Sequence, residues 1–368
     1  MPCIEKALLV GAYIPSKVSR TEAEESISEL AELTRTAGAA VINSFIQKIS
    51  SPNPSYFIGK GKAEEIKAEV EKEDIDLVVF DDNLSPGQEK NLEELLETKI
   101  IDRTGLILDI FAQRARTREG KLQVELAQLN YLLPRLVGKG AALSRLGGGI
   151  GTRGPGESKL ESDRRRVRER IARIKQELEK VRKTRELHRQ SRKSVPFPVI
   201  AIIGYTNAGK STLFNRLSKV PEGKGVLAED KLFATLDPTV RKITLPQRQT
   251  ALIFDTVGFI KKLPHQLIEA FKATLEEVGN ADILLHVIDC SHSNALNQID
   301  SVKKVLEEIG ASDKPVINVF NKTDRVEGVI PPHLKLIAED GVAVSALTGR
   351  GLERLFAKIG SVLKSPIY

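Results

Sequence analysis

The spacing of apolar residues divides the chain into three. In residues 1–110, short apolar runs at Ala7–Ala12, Ala39–Ile46 and Leu77–Phe80 alternate with acid-rich amphipathic stretches at 21–37, 62–72 and 86–98. Runs that short suit strands, and the longer patterns suit helices, so this segment predicts a small α/β domain. From residue 111 the period changes. Leu122, Leu126, Leu129, Leu133 and Leu136 fall at intervals of 4, 3, 4 and 3; Leu160, Val167, Ile171, Ile174, Leu178 and Val181 fall at 7, 4, 3, 4 and 3. These are seam positions of two helices that can pack on each other, and a helix over 159–190 would extend about 45 Å. The simplest arrangement over 111–193 is a long antiparallel helical hairpin, with Pro134 a candidate kink and residues 138–158 at the tip. Pro196 and Pro198 end the second helix, because the residue before a proline is driven out of helical geometry. Apolar strands then recur at Val199–Ile203, Ala251–Phe254 and Pro315–Phe320, each running into a polar loop, and mark a third domain over 194–368.

Charge sharpens this division. The 368-residue chain carries a net +7, but residues 1–110 hold 12 Lys/Arg against 21 Asp/Glu, residues 111–193 hold 23 against 9, and residues 194–368 hold 21 against 19. The positive charge is therefore concentrated on the hairpin. That is the footprint of a polyanion-binding surface, with an acidic domain of the same chain as the alternative partner. Eight glycines between 138 and 158, with Lys139, Arg145 and Arg153, make the tip thin and positive. It is either a probe for a narrow, phosphate-lined cavity in folded RNA or a flexible linker.

Other chemistries find little support. Cys3 and Cys290 have no metal-ligand spacing, and the five histidines form neither a zinc pattern nor a catalytic triad. No run approaches eighteen apolar residues, so no membrane span is expected, and the N-terminus lacks a cleavage site, which points to the cytosol. A Gly59-Lys60-Gly61-Lys62 cluster before an expected helix could bind phosphate but lacks a full fingerprint, and reads rather as a turn with a solvated helix start.

The third segment carries the chemistry. Gly204, Tyr205, Thr206, Asn207, Ala208, Gly209, Lys210 and Ser211 spell G-x-x-x-x-G-K-S between a strand and a helix. Glycines let successive N–H groups curl around phosphate oxygens, Lys210 reaches the outer phosphates, and the Ser211 hydroxyl is suited to Mg²⁺. Further on, Asn321, Lys322, Thr323 and Asp324 follow a strand. The Asp324 carboxylate can accept from guanine N1–H and N2–H₂, while Ser345, Ala346 and Leu347 can supply an N–H to guanine O6. Asp255, Thr256, Val257 and Gly258 close another strand, with Asp255 placed to hold the metal through water and Gly258 to sense the γ-phosphate. Within Phe233, Ala234, Thr235, Leu236 and Asp237, Thr235 is the candidate second hydroxyl on Mg²⁺, with Thr239 as a nearby alternative. Lys210, Thr235 and Gly258 are the expected catalytic groups. Together these elements predict a Ras-like P-loop GTPase domain with a mixed, mostly parallel sheet, acting on GTP. Phe259 stands where many GTPases have a water-positioning glutamine, so slow intrinsic hydrolysis completed by a partner is expected. Asn207 is either a carboxamide ligand for K⁺ beside the phosphates or an ordinary loop residue.

In its combination of motifs the chain resembles the HflX family of ribosome-associated GTPases. The specific part is Gly148-Gly-Ile-Gly-Thr-Arg-Gly-Pro-Gly-Glu157 with Leu160-Glu-Ser-Asp-Arg-Arg165, preceded by Gln128-Leu-Asn-Tyr-Leu-Leu-Pro-Arg-Leu136. Tyr56-Phe-Ile-Gly-Lys-Gly-Lys62 adds an N-terminal signature. The resemblance spans essentially the whole chain. It implies binding to the large ribosomal subunit and its RNA, GTP-dependent splitting of stalled ribosomes with release of GDP, and a tip near the peptidyl transferase centre. It also implies ATP binding by the N-terminal domain, for which no matching motif assigns residues here. A monomer is expected. Some relatives continue into another C-terminal domain after the Leu352–Leu363 stretch, and contacts made through it are not carried over. Two other readings stay open: a signalling switch with residues 111–193 as a coiled-coil adaptor, and an RNA chaperone with regulatory nucleotide binding.

Overall fold

The computed structural model describes residues 4–136, 155–192, 197–218, 233, 239–245, 249–262, 278–326 and 330–364, with side chains from 161 to 184 in the long helix. Residues 138–154 of the expected tip, and Ala234, Thr235, Leu236 and Asp237, lie outside these. The chain forms two compact units, Met1–Gln113 with Lys121–Glu179, and Arg114–Gly120 with Lys180–Tyr368.

The first unit runs β1 (Lys6–Tyr13), α1 (Arg20–Ala37), β2 (Ala40–Lys48), α2 (Lys60–Glu73), β3 (Leu77–Phe80), α3 (Pro86–Leu96), β4 (Lys99–Asp102) and α4 (Arg103–Arg114). Its four strands are parallel in the order β2-β1-β3-β4. Successive side chains of a strand face opposite ways. Leu8, Val10, Val78 and Phe80 accordingly share a core with Ile66 and Val70 of α2 and Leu92 and Leu96 of α3. On the other face a Cβ at Gly11 would lie 2.6 Å from Ile27 Cδ1, which shows how closely α1 packs there. Capping boxes at Ser19 and Ser85 start α1 and α3. The expected elements recur with shifted ends: α2 begins at Lys60, so Gly61 and Lys62 lie inside a helix rather than before it. β4 and α4 were not expected, and α4 runs through residue 110.

Two long helices follow, α5 (Arg118–Arg135) and the 38-residue α6 (Pro155–Arg192). They meet along Leu122, Leu126 and Leu129 from α5 and Ile171, Ile174 and Leu178 from α6. Leu133, Leu136, Val167 and Val181 stay half-buried outside that cluster. Arg170 donates to Glu125 through Nε (2.6 Å) and a terminal nitrogen (2.8 Å) across the seam. Among the described side chains of α6, Ile174 alone is buried. The end of α5 is fixed by Arg135, whose Nε donates to Glu89 at 2.6 Å and whose terminal nitrogen donates to Asp102 at 2.8 Å and Leu84 O at 3.0 Å. Its guanidinium lies 3.5 Å over the Tyr131 ring, and the Tyr131 hydroxyl donates to Asp102. Burial raises the Tyr131 and Glu89 pKa values, most strongly that of Tyr131.

The second unit contains β5 (Val199–Gly204), α7 (Lys210–Leu217), β6 (Thr239–Thr244), β7 (Thr250–Asp255), β8 (Ile283–Asp289), α8 (Ala295–Glu308), β9 (Val316–Asn321), α9 (Lys335–Ala338), β10 (Val342–Ala343) and α10 (Leu352–Lys364). The sheet order is β10-β9-β8-β5-β7-β6, parallel except for the β6–β7 pair. β8 is buried at all seven positions, as a central strand covered on both faces must be. Leu213 and Phe214 of α7 and Leu355 and Ile359 of α10 pack on one face of the sheet. Val302 and Leu306 of α8 pack on the other. Strand order reverses at β5, the topological switch point where ligand crevices form in open α/β sheets.

Candidate nucleotide site

The loop leaving β5 is shaped by positions that only glycine tolerates. Gly204 has φ 146°, and a Cβ there would lie 2.3 Å from Val287 O. Gly209, with φ 89°, caps the start of α7, and its Cβ would lie 2.3 Å from Asn321 Nδ2. Asn207 between them is left-handed at φ 59°. Lys210 opens α7, is buried, and donates from Nζ to Tyr205 O at 2.7 Å. Burial pulls its pKa down to about 8, opposed by the nearby Asp255 carboxylate.

Asp255 ends β7, fully buried, and accepts a 2.7 Å hydrogen bond from the Ser211 hydroxyl. A hydroxyl and a carboxylate side by side are hard oxygen donors, the set a hard divalent cation prefers. This pair alone is a small donor set, which fits a cation that keeps water and phosphate ligands, as Mg²⁺ does. The Thr256 hydroxyl donates to Ile202 O at 2.7 Å and ties the next loop to β5. Val257 is buried, and Gly258 packs on the phosphate loop: a Cβ on it would lie 2.7 Å from Thr206 Cγ2 and 2.9 Å from Lys210 Nζ.

Phe259 turns its ring into the core with Ile203, Phe254 and Leu284. Its backbone pairs with the phosphate loop, since Thr206 N–H donates to Phe259 O at 2.7 Å and Phe259 N–H to Gly204 O at 3.1 Å. Thr239 opens β6 directly opposite Asp255 in the ladder, and Phe233 is buried.

The loops after β9 and β10 come to the same edge. Asn321 is buried; its Nδ2 donates to Ala208 O at 2.8 Å and its Oδ1 accepts from Ala346 N–H at 2.9 Å. Lys322, left-handed at φ 63°, places Nζ 2.7 Å from Asp289. Thr323 N–H donates to Val344 O at 3.3 Å, and Asp324 accepts from the Ser345 hydroxyl. Arg216 of α7 donates to Ala346 O and Leu347 O, leaving the Leu347 side chain exposed. Apart from Phe233 and Thr239, the described residues singled out for nucleotide and metal lie at the carboxyl ends of β5, β7 and β9, on the loops that follow these strands and β10, or on the first turn of α7. Sequence reasoning missed Asp289 and Arg216. Asp289 carries a signal, an acid closing an apolar strand as Asp255 does; Arg216 has none, being one more basic residue on a helix.

A phosphate loop at the switch-point strand, Asp-x-x-Gly at the neighbouring strand end and Asn-Lys-x-Asp beyond β9 define a P-loop GTPase domain. Residues 199–322 match the family model described as 50S ribosome-binding GTPase. Residues 24–112 match GTP-binding GTPase N-terminal, and 114–192 GTP-binding GTPase Middle Region. The chain belongs to the HflX GTPase family. It is 54% identical to GTPase HflX of Caldanaerobacter subterraneus subsp. tengcongensis, over 96% of this chain and 80% of that one. It is 47% identical to GTPase HflX of Escherichia coli, over 99% and 84%. Among solved structures, SsGBP in complex with GDP aligns over 98% of both chains with a TM-score of 0.53 and 29% identity.

Proposed function

We propose that this GTPase binds the large ribosomal subunit and, in its GTP state, splits or rescues stalled ribosomes, hydrolysing GTP to GDP and phosphate. The observation that carries the reading is the basic segment 111–193, with 23 Lys/Arg against 9 Asp/Glu, attached to a GTPase domain. Most of the described side chains of α6 are exposed, Arg165, Arg166, Arg168 and Arg173 among them, which keeps those charges available to phosphates. The family description 50S ribosome-binding GTPase supports the same partner. The apolar stripe of α5 is engaged by Ile171, Ile174 and Leu178 of the same chain, which argues against a coiled-coil adaptor.

At the site, the loop Gly204–Ser211 cradles the phosphates, with Lys210 on the outer pair and the Gly258 N–H toward the γ-phosphate. Ser211 and, through water, Asp255 would hold Mg²⁺, with Thr235 as the candidate further hydroxyl. When bound, the metal would neutralise charge on the phosphoryl oxygens. Asp324 and the turn Ser345–Leu347 read guanine. With the Phe259 ring engaged in the core, a partner is expected to accelerate hydrolysis, and Asn207 is the candidate ligand for K⁺.

Cosedimentation with separated ribosomal subunits tests the reading. Binding to the large subunit should be stronger with a non-hydrolysable GTP analogue than with GDP, and should weaken steeply as salt rises. Equal pelleting with both nucleotides, or binding that tolerates salt, refutes it.

A further inference from the structure

One polar atom of the phosphate loop has no role in the assignments above. Thr206 is 6% exposed, and its Oγ1 is buried without a hydrogen-bond partner among the described residues. A buried hydroxyl left in that condition is costly and calls for a partner from elsewhere. Its surroundings say which. The Thr206 side chain packs on Gly258, and the point where a Cβ of Gly258 would sit is 2.7 Å from Thr206 Cγ2 and 2.9 Å from Lys210 Nζ. It is the threonine methyl that faces Gly258, so the hydroxyl on the same Cβ lies within a side chain's breadth of the lysine amine and of the glycine assigned to the γ-phosphate.

Three nearby polar side chains are engaged. Ser211 Oγ donates to Asp255, Thr256 Oγ1 to Ile202 O, and both amide atoms of Asn321 are paired with Ala208 O and Ala346 N–H. The side chain at 259, where a glutamine would otherwise orient water, is a phenyl ring packed with Ile203 and Phe254. Its backbone is held too, because Thr206 N–H donates to Phe259 O at 2.7 Å.

We propose that Thr206 is a catalytic residue of the GTPase reaction, resting on the assignment of the phosphate loop to GTP. A hydroxyl is both donor and acceptor. Thr206 Oγ accepts a hydrogen bond from the attacking water and donates its own to a γ-phosphoryl oxygen, tying nucleophile to target. The water oxygen forms its bond to the γ-phosphorus while the bond from phosphorus to the β–γ bridging oxygen breaks. GDP leaves with that electron pair, and the water's protons end on the phosphate product and solvent. Thr206 is unchanged at the end.

The full chain carrying Thr206→Val, Thr206→Ser or Lys210→Ala tests this by single-turnover GTP hydrolysis, fluorescent GDP titration and thermal unfolding. Valine keeps the methyl beside Gly258 and replaces the hydroxyl by a methyl of similar size. Thr206→Val should hydrolyse roughly 10- to 100-fold more slowly, with GDP affinity within about twofold and Tm equal or higher, because no intramolecular hydrogen bond is lost. Thr206→Ser should restore the rate to within about threefold. A Thr206→Val protein that hydrolyses at the wild-type rate overturns the proposal, as does a loss of rate matched by a loss of GDP affinity or of Tm. Lys210→Ala separates the two levels: if it leaves nucleotide affinity unchanged, the phosphate-loop assignment itself fails.

Discussion

Arg135 offers a direct measure of what holds the end of α5 in place. Replacing it by methionine keeps most of the aliphatic stem and removes the ion pairs to Asp102 at 2.8 Å and Glu89 at 2.6 Å. Asp102 is fully buried, so its charge loses its compensating cation, and breaking such a pair costs about 3–5 kcal/mol. Two features place the expected value at the low end. Asp102 keeps donors from Tyr131 Oη, Leu84 N–H and Gly105 N–H, and the Glu89 side chain, 19% exposed, retains some access to water. We expect about 3 kcal/mol, a loss of roughly a hundredfold in amide protection across β4 and residues 121–135 by hydrogen exchange. The double substitution Arg135→Met with Asp102→Asn should recover at least half of that, because the cost comes mainly from the stranded charge. Protection within threefold of wild type, or a double variant no better than Arg135→Met, would refute the electrostatic account.

Three further outcomes follow from the second unit. With Lys210 at a pKa of about 8, a triphosphate beside it favours the ammonium, so nucleotide binding at pH 8 should take up about half a proton. Calorimetric enthalpies should then vary with buffer ionisation heat at pH 8 and not at pH 6.5, and absence of that variation counts against the site. Burial holds His286 down at about 4, so the unfolded chain binds its proton first and stability falls as pH drops from 6.5 toward 4. That loss amounts to at most about 3 kcal/mol, and His286→Gln should narrow the Tm difference between pH 7.5 and pH 5. Gly209→Ala would force a left-handed alanine whose Cβ lies 2.3 Å from Asn321 Nδ2, and should weaken GDP at least about tenfold in a fluorescent titration.

What the sequence revealed depended on whether a signal was local. The G-x-x-x-x-G-K-S loop, Asp255 and Asn321 each stand at the end of an apolar strand, so their convergence could be read once the strands were recognised. β4 and α4 could not be read so easily: Lys99–Asp102 is four residues long, and α4 buries Leu106, Ile107, Leu108, Ile110 and Phe111, leaving no polar stripe to give a helical period. The heptad spacing of α5 and α6 marked the right seam but overextended it, because Leu133 and Val181 satisfy the spacing without entering the cluster. Phe259 shows another limit. Its side chain suggested a missing catalytic group, whereas its backbone N–H and C=O bind the phosphate loop, a role that leaves no trace in residue type.

Asn321 changes how the guanine-reading motif works. Its two amide atoms are engaged within the protein, by Ala208 O of the phosphate loop and by Ala346 N–H of the turn after β10. Arg216 adds a second tie from α7 to that turn, through Ala346 O and Leu347 O. The loops assigned to phosphate and base are thus braced across the edge of the sheet by Asn321 and Arg216. Such bracing would fix the separation between the two ends of a bound nucleotide, and positioning, together with electrostatic stabilisation, is the source of rate in phosphoryl transfer. On the proposed reading Asp324, held by the Ser345 hydroxyl, is the side chain assigned to guanine, while Asn321 ties the phosphate loop to the turn after β10 that holds Ser345.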